Sequence, residues 1–325
     1  MAKERKIAFI LLMKKLLLIL LCLPMIGFGQ LTMIPDDNFE QRLIQLGYDN
    51  ILDDYVATAN INSVTFLDVS GESITDLTGI EDFTALDTLY CYTNQLTSLN
   101  VNNNTALTNL ECGYNQLTNL DVSNNTALTT LYCHSNQLTS LDLSGATALT
   151  YLLCATNQLT NLDVSQNTAL TYLYCGNNQL TNLDVNQNTA LTDLLCFNNQ
   201  LTSLDVSQHT FLTQLHCSHN QLTTFDIRNG NNINVTNFIS GYNPNLTCIN
   251  VDDSTWCANN WTFANGNIDP QHYFSNNCSG TTDIEEHTTN KELLRTIDIL
   301  GRETTNQPLF YIYDDGTVEK KIIID

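Results

Sequence analysis

Apolar residues recur through most of the chain with a period of 21 residues. Between Leu86 and Leu222 the sequence follows L-x-x-L-x-C-x-x-N-x-L-T-x-L/F-[DN]-[VLI]. Seven turns of this pattern start at Leu86, Leu107, Leu128, Leu149, Leu170, Leu191 and Leu212. A looser turn precedes them, with Val64, Leu67, Val69 and Ile74, and another follows, with Val235, Phe238, Ser240 and Asn243. One such unit cannot bury its own apolar face, so the repetition predicts a stacked solenoid with a continuous core.

Within each turn, the alternation of apolar and variable positions predicts a short parallel strand whose Leu and Cys point into the coil. The turn asparagine, such as Asn178, is expected to satisfy buried loop backbone groups, which would otherwise cost about 1–3 kcal/mol each. The Leu-Thr-x-Leu-Asp-Val segment that follows is expected to close the convex side as irregular chain. With about 4.8 Å between strands, nine turns would span on the order of 40 Å.

Both ends of the repeat array carry sequences suited to caps, which a solenoid needs. Residues 34–40 read as the start of a helix, with aspartates in its first turn. Its apolar face is formed by Phe39, Leu43, Ile44 and Leu46. After the array come two tryptophans, Trp256 and Trp261, and three cysteines, Cys248, Cys257 and Cys278. This density is typical of a disulfide-closed cap in an exported protein, although spacing alone leaves all three pairings open.

The repeat resembles the leucine-rich-repeat family, whose consensus L-x-x-L-x-L-x-x-N/C-x-L it matches over roughly residues 64–251. The short period is similar to that of bacterial internalin-type solenoids. The resemblance implies an α/β-type horseshoe, mostly parallel β, with a helical cap before it and a disulfide-closed cap after it. It also implies a Cys248–Cys278 pair that leaves Cys257 free, and ligand binding on the concave sheet.

The N-terminus has the features of a secretory signal peptide. Lysines 14 and 15 precede an apolar run from Leu16 to Met25, and small residues follow up to Gly29. The run is too short for a membrane span. We therefore expect cleavage after Gly29, with Met13 as the start of translation. The predicted organisation is a signal peptide (1–29), N-terminal cap (30–63), solenoid (64–251), C-terminal cap (252–280), linker (281–290) and C-terminal domain (291–325).

The C-terminal domain is predicted to contain a β-hairpin, because two alternating segments flank Asp314-Asp315-Gly316. It resembles the sorting domain of the type IX secretion system of Bacteroidetes, in a short form without the upstream Tyr-Pro-Asn-Pro element. The matching positions include Asp298, Leu300, Gly301, Arg302, Tyr311, Tyr313, Gly316 and Lys320. The resemblance implies the type IX machinery as a partner, passage through the outer membrane, and release or attachment at the cell surface.

The charge distribution excludes two classes of partner. Without residues 1–29 the chain has 7 Lys/Arg against 33 Asp/Glu, a net charge of −26, and no Lys or Arg lies between Arg42 and Arg228. Nucleic-acid binding needs cations that replace phosphate counterions, so this surface is unsuited to it. Attachment to anionic lipid is excluded for the same reason, and we expect no membrane insertion of the mature chain.

The residue types that could bind a metal or catalyse a reaction have structural explanations. The recurring cysteines lie in a line, which suits neither tetrahedral zinc nor disulfides between in-register neighbours, and buried thiols act as small hydrophobes. The aspartate column from Asp121 to Asp226 could bind Ca²⁺ between turns, but backbone-bonded or solvated carboxylates are favoured. His216 and His219 are not expected to share one face. The sequence carries no catalytic motif, so we predict a protein that is not an enzyme and has no cofactor or metal.

The variable slots beside the inward Leu and Cys indicate where a ligand would bind. They project onto the concave sheet and are rich in tyrosine, a residue favoured at interfaces. The predicted binding residues are Tyr90, Tyr92, Glu111, Tyr132, His134, Tyr151, Leu153, Tyr172, Tyr174, Leu195, Phe197 and His216. We predict an exported protein that binds a protein or glycan partner. The alternatives are a passive matrix component of the cell surface and an extracellular enzyme of unrecognised type.

Overall fold

The computed structural model describes residues 29–278 and, beyond them, three strands of the C-terminal domain. The chain divides into two compact units, one ending at Cys278 and the other beginning at Ser279. The helices are α1 (Asp37–Gln45), α2 (Thr58–Ile61) and α3 (Ser254–Asn260). The strands are β1 (Leu31–Met33), β2 (Tyr55–Ala57), β3 (Phe66–Asp68), β4 (Thr88–Tyr90), β5 (Asn109–Glu111), β6 (Asn119–Asp121), β7 (Thr130–Tyr132), β8 (Ser140–Asp142), β9 (Tyr151–Leu153), β10 (Tyr172–Tyr174), β11 (Asp193–Leu195), β12 (Ser203–Asp205), β13 (Gln214–His216), β14 (Thr224–Asp226), β15 (Asn237–Ile239), β16 (Cys248–Asn250), β17 (Tyr273–Ser275), β18 (Leu293–Ile297), β19 (Phe310–Tyr313) and β20 (Val318–Lys320).

The N-terminal cap contains the predicted helix. The Asp36 carboxylate accepts hydrogen bonds from the backbone N–H groups of Asn38 and Phe39, and so caps α1. Phe39 and Leu43 are fully buried. Leu46, which was predicted to lie on the apolar face, is instead exposed after the helix ends. Strands β1 and β2 pair antiparallel and complete the cap.

Nine parallel strands form the main sheet, in the order β15-β13-β11-β10-β9-β7-β5-β4-β3. All of them are three residues long, centred on the inward Leu or Phe, and they pair in register. The cysteine follows the strand directly and also points inward. The predicted parallel-sheet solenoid is thus confirmed, including the two looser turns at its ends.

The apolar repeat positions build the core that holds the turns together. The turn that starts at Leu170 is an example. Its residues Leu170, Leu173, Cys175 and Leu180 are fully buried, and Leu183 and Val185 are no more than 5% exposed. Complete burial of one leucine side chain contributes about 1.5–3 kcal/mol. Since every turn repeats the same positions, the core is continuous along the whole stack.

Two columns of asparagines bind the backbone inside the coil. In the expected column, Asn178 donates to the carbonyls of Cys154 and Cys175 and accepts from the N–H of Leu159, at 3.0–3.1 Å. A second column, not identified from the sequence, contains Asn104, Asn125, Asn167 and Asn188. Asn188, for example, donates to the carbonyls of Val164 and Asn167 at 2.9 Å. Turns that carry both asparagines are therefore bound to the preceding turn at two corners, whereas Ala146 occupies the second slot in one turn.

The convex side is more regular than expected. Segments from the Leu-Asp-Val part of the repeat form two additional parallel sheets, β6-β8 and β12-β14-β16-β17. Backbone pairing between Leu120 and Leu141 and between Leu204 and Phe225 extends the ladder there. In this segment the buried Leu120 and Val122 alternate with the exposed Asn119 and Asp121, an alternation too short to distinguish a strand from irregular chain.

The C-terminal cap closes the last turn with a disulfide and an aromatic cluster. Cys248 and Cys278 form the predicted disulfide, and Cys257 is free and buried. The ring of Trp261 stacks on that of Phe238 with centroids 4.1 Å apart, and it also contacts Trp256 and Phe274. These rings cover the apolar end of the solenoid that the last repeat would otherwise expose to water.

The second compact unit contains β18, β19 and β20, which form an antiparallel sheet. The pairing of β19 with β20, from Phe310 opposite Lys320 to Ile312 opposite Val318, agrees with the predicted hairpin. Of the sorting-domain positions, Tyr311, Tyr313 and Lys320 lie in these strands, whereas the described residues do not include Asp298, Leu300, Gly301, Arg302 and Gly316. The predicted signal peptide also falls outside them, apart from Gly29. In the described part of the chain, no helix is long and apolar enough to cross a membrane.

Candidate functional site: an aromatic sheet face

The in-register stacking of the main sheet arranges the variable side chains in rows on one face. The first row runs through Thr130, Tyr151, Tyr172 and Asp193, and the second through Glu111, Tyr132, Leu153, Tyr174, Leu195 and His216. The residues after each cysteine, which include Tyr92, His134 and Phe197, follow at the ends of the strands. The predicted binding residues therefore lie on one sheet face. We call this surface the aromatic face and define it by Tyr90, Tyr92, Tyr132, His134, Tyr151, Tyr172, Tyr174, Phe197 and His216.

Three tyrosines form the centre of the aromatic face. The rings of Tyr151 and Tyr172 are parallel within 4°, with centroids 4.0 Å apart. The ring of Tyr132 lies 5.3 Å from that of Tyr151 and is tilted by 58°. All three side chains are partly exposed. Because the two stacked rings cover one face of each other, they present their edges, their hydroxyls and their outer faces to a partner.

A second group of rings continues the surface toward the C-terminal turns. Phe197 lies 5.5 Å from Tyr174 and 4.3 Å from His216, measured between ring centroids. Gly176 makes room for this group, since a Cβ atom there would lie 3.0 Å from the Tyr174 ring and 3.3 Å from that of Phe197. Gly113 has the same role beside His134, where the added Cβ would be 2.8 Å from the imidazole. Glycine at these slots therefore allows bulky rings in the neighbouring turns.

The face continues at its N-terminal end into residues that were not predicted. The Phe66 ring meets Tyr90 edge-on at 5.4 Å, and Tyr90 lies 6.4 Å from Tyr92. Tyr114 packs edge-on against His134 at 5.0 Å. Phe66 occupies the same sheet row as Tyr151 and could have been found by extending the alignment of turns one repeat upstream. Tyr114 lies in the turn after the strand, in a left-handed backbone conformation that strand alternation does not describe.

The aromatic face has negative but no positive residues in its strands. Glu111 lies next to Tyr132 in the second row, and Asp193 lies next to Tyr172 in the first. Burial, together with the charge of Asp68, raises the pKa of Glu111. The Asp193 carboxylate accepts a 2.6 Å hydrogen bond from the Thr192 hydroxyl. Burial and the neighbouring Tyr172 hydroxyl raise the pKa of Tyr151 to about 12, so its phenol is protonated at neutral pH.

A serine links two of the histidines. His216 and His219 were not expected to share one face, and the Ser218 hydroxyl lies between them, 2.7 Å from His216 Nε2 and 3.1 Å from His219 Nδ1. His219 has a left-handed backbone conformation, with φ 55°, and its ring stacks on that of Tyr242 at a centroid distance of 4.1 Å. Burial lowers the pKa of both His134 and His216, and the nearby His219 lowers that of His216 further. Both rings are therefore mainly neutral at pH 7.

The cysteine column shows the geometry of a packing element. The seven thiols from Cys91 to Cys217 are free and fully buried. Burial raises the pKa of Cys175 to about 12, so the nucleophilic thiolate is scarce at neutral pH. No cluster of three or more metal-binding side chains occurs among the residues that the structure describes.

The aspartate column is used by the local backbone. Asp121, Asp142 and Asp163 accept hydrogen bonds from the N–H groups two residues later, at 2.8–2.9 Å. Their carboxylates also line a cavity of about 420 Å³ on the side of the coil that carries β6 and β8. These hydrogen bonds agree with the predicted backbone-bonded carboxylates.

Comparisons with known proteins agree with this geometry. No family model matches the chain. Internalin J of Listeria monocytogenes serotype 4b (strain F2365) is 43% identical over 70 residues, which are 22% of this chain and 8% of that protein. Among solved structures, the functional domain of InlJ from Listeria monocytogenes has a TM-score of 0.61 and 40% identity, over 69% of this chain and 52% of that one. That domain includes a cysteine ladder.

A second solved structure, internalin C2 of Listeria monocytogenes strain 4b F2365, has a TM-score of 0.52 and 26% identity, with 60% of this chain and 91% of that chain covered. The chain spans about half the InlJ domain and under a tenth of full-length internalin J. The protein is thus an internalin-like leucine-rich-repeat solenoid, with cysteines in the place of one core leucine.

Proposed function

We propose that this chain is a secreted or cell-surface binding protein that holds a protein partner on its aromatic face. The observation that carries the proposal is the row of partly exposed rings from Tyr132 to His216, on a sheet whose opposite face forms the core. Rings fixed by stacking lose little conformational entropy on binding, and tyrosine supplies both apolar area and a hydroxyl. The likeness to internalins supports this proposal, since proteins of that type mediate protein interactions.

Of the two predicted partner classes, the geometry favours a protein over a glycan. Sugar rings stack on open aromatic faces, but Tyr151 and Tyr172 cover one face of each other. The edges, the hydroxyls and the single outer face that each ring keeps suit the mixed polar and apolar surface of a protein. A passive matrix role would leave the aromatic face without a saturable ligand. A role as an enzyme would require a reactive group, and the buried thiols offer none at neutral pH.

Replacement of four tyrosines tests this proposal. The wild type and a variant with alanine at Tyr132, Tyr151, Tyr172 and Tyr174 are screened against a display library of extracellular protein domains and a glycan array. The proposal expects saturable binding of a protein domain by the wild type and at least a tenfold loss in the variant, with circular dichroism unchanged. Equal binding by the two proteins, or wild-type binding to glycans alone, would contradict it.

Export through the type IX system is the second part of the proposal. It is supported by the matches at 298–302 and 316–321 in the sequence and by the pairing of β19 with β20. Removal of residues 291–325 in a host with this system should leave the protein in the periplasm. Efficient appearance of the truncated protein in the medium would contradict this export route.

A further inference from the structure

We infer that the partner presents a basic segment to the aromatic face, with one cationic side chain at Glu111 and another at Asp193. This inference rests on the proposed function and specifies the chemistry of the partner. It follows from the placement of the charges around the tyrosine cluster rather than from the acidity of the chain as a whole.

In the described residues of the first compact unit, the charged side chains available to a partner are negative. Residues 29–278 contain 23 Asp/Glu and two Lys/Arg. Both cations are already paired: Arg42 with Glu72 at 3.4 Å, and Arg228 with Asp226 at 2.5 Å. They belong to the two ends of the repeat array, whereas the strands from β4 to β13 carry none. A cationic segment therefore meets attraction along the whole face, and an acidic segment meets repulsion.

Two carboxylates flank the tyrosine cluster at a definite spacing. Glu111 on β5 neighbours Tyr132, and Asp193 on β11 neighbours Tyr172. Four strand-to-strand steps separate β5 from β11, which corresponds to about 19 Å. An extended peptide covers this distance in about six residues. The spacing thus fits a short strand-like segment with basic residues near both ends and apolar or small residues over the rings.

Glu111 is the carboxylate that gains most from a cation. Burial and the charge of Asp68 raise its pKa, which means that its ionised form is disfavoured in the free protein. No hydrogen-bond donor among the described residues contacts its side chain, in contrast to Asp68, which accepts from the N–H and the hydroxyl of Ser70. A lysine or arginine of the partner would supply both charge and hydrogen bonds.

The phenols of the cluster suit the same partner. The pKa of Tyr151 is raised to about 12 and that of Tyr132 is also raised, each mainly by burial. Neutral phenols accept hydrogen bonds from guanidinium and ammonium groups, and outer ring faces attract cations. The rings and the carboxylates therefore select for one chemical class of side chain.

A peptide library tests the inference on the full-length protein. Random displayed dodecapeptides are selected on the wild type, on the charge variant Glu111→Gln/Asp193→Asn, and on the matched control Asp163→Asn/Asp184→Asn. The control also removes two negative charges, but from the aspartate column. The first slot of that column is occupied by Asn100, so the repeat accepts asparagine there. The four-tyrosine variant described above serves as a fourth bait.

The inference expects wild-type and control selections enriched at least twofold in Lys and Arg over the input library, and no such enrichment with the charge variant. Two outcomes would overturn the inference and leave the proposed function standing. The selected peptides could depend on the tyrosines without being basic, or the charge variant could select basic peptides as well as the wild type does. Peptides selected equally by the four-tyrosine variant, or none above background, would overturn both.

Discussion

The rings of Tyr151 and Tyr172 stack in parallel across neighbouring strands, with centroids 4.0 Å apart. The contact exists because the repeat is in register, so that the same slot of two consecutive turns comes together at the strand spacing. A 21-residue period thus converts a variable position of the sequence into a continuous surface. The aromatic face is a product of the stacking, and its rings also stabilise the stack.

The Tyr151–Tyr172 pair should couple energetically. Stacked aromatic pairs contribute about 0.5–1.5 kcal/mol beyond the area they bury. In a double-mutant cycle with Tyr151→Leu and Tyr172→Leu, we expect a coupling free energy of about 1 kcal/mol in urea unfolding. The pair Tyr151 and Tyr174, in different rows of the face, is the control. Additive effects for Tyr151 and Tyr172 would contradict the stack.

Asn178 should be essential to the turn it occupies. Its amide donates to three carbonyls and accepts from one N–H, all buried. Asn178→Ala leaves these groups unsatisfied, and we expect a loss of about 2–4 kcal/mol in the free energy of unfolding. The neighbouring Gln179, which is exposed, should tolerate alanine within about 0.5 kcal/mol. Comparable denaturation midpoints for the two variants would be inconsistent with the asparagine column.

The cysteine column should resist modification until the protein unfolds. Eight free cysteines of residues 29–278 are buried, and burial raises the pKa of Cys175 to about 12. Differential alkylation with iodoacetamide, read by mass spectrometry, should label none of them in the native protein and all eight in urea. Rapid native labelling of any cysteine between Cys91 and Cys217 would show that the column is open to solvent.

His209 should make stability depend on pH. It occupies the slot of the second asparagine column, fully buried, with Nε2 3.1 Å from the Val185 carbonyl. Burial lowers its pKa in the folded state. The unfolded chain therefore binds more protons below about pH 6.5, and stability falls as the pH decreases through that range.

His209→Asn introduces the residue found in this slot at Asn104, Asn125, Asn167 and Asn188, and it removes this titration. We expect the difference in unfolding free energy between variant and wild type to grow in favour of the variant from pH 8 to pH 5. Urea denaturation at both pH values measures it. The same substitution at exposed His219 provides the comparison, and parallel pH profiles for wild type and His209→Asn would refute the prediction.

The sequence predicted those parts of the fold that depend on period. The residue types of Leu173 and Cys175 recur in all seven regular turns, so their burial, the parallel sheet and the asparagine column around Asn178 could be derived from spacing alone. The Cys248–Cys278 pair came from family resemblance, because spacing left three pairings open. The variable slots lie on one sheet face, as alternation within a strand leads one to expect, whereas their role in binding stays a prediction.

The remaining features depend on backbone conformation and contacts between turns. The meeting of His216 and His219 at Ser218 involves a left-handed residue, which the spacing of histidines does not reveal. Asn188 recurs with the repeat period but was not singled out from the sequence, and its complete burial becomes evident only in the structure. The parallel stacking of Tyr151 and Tyr172, which supports the proposal of a protein partner, is a side-chain contact between turns that the sequence does not reveal.

Hydroxyl-radical footprinting of the protein with a bound partner segment tests the central claim most directly. With a peptide selected on the wild-type protein, the aromatic face predicts reduced oxidation of Tyr132, Tyr151, Tyr172 and Tyr174. Oxidation of Tyr55 and Tyr273, which are exposed on β2 and β17, should be unchanged. Protection of Tyr55 or Tyr273 with full oxidation of the four central tyrosines would place the partner elsewhere and contradict the account.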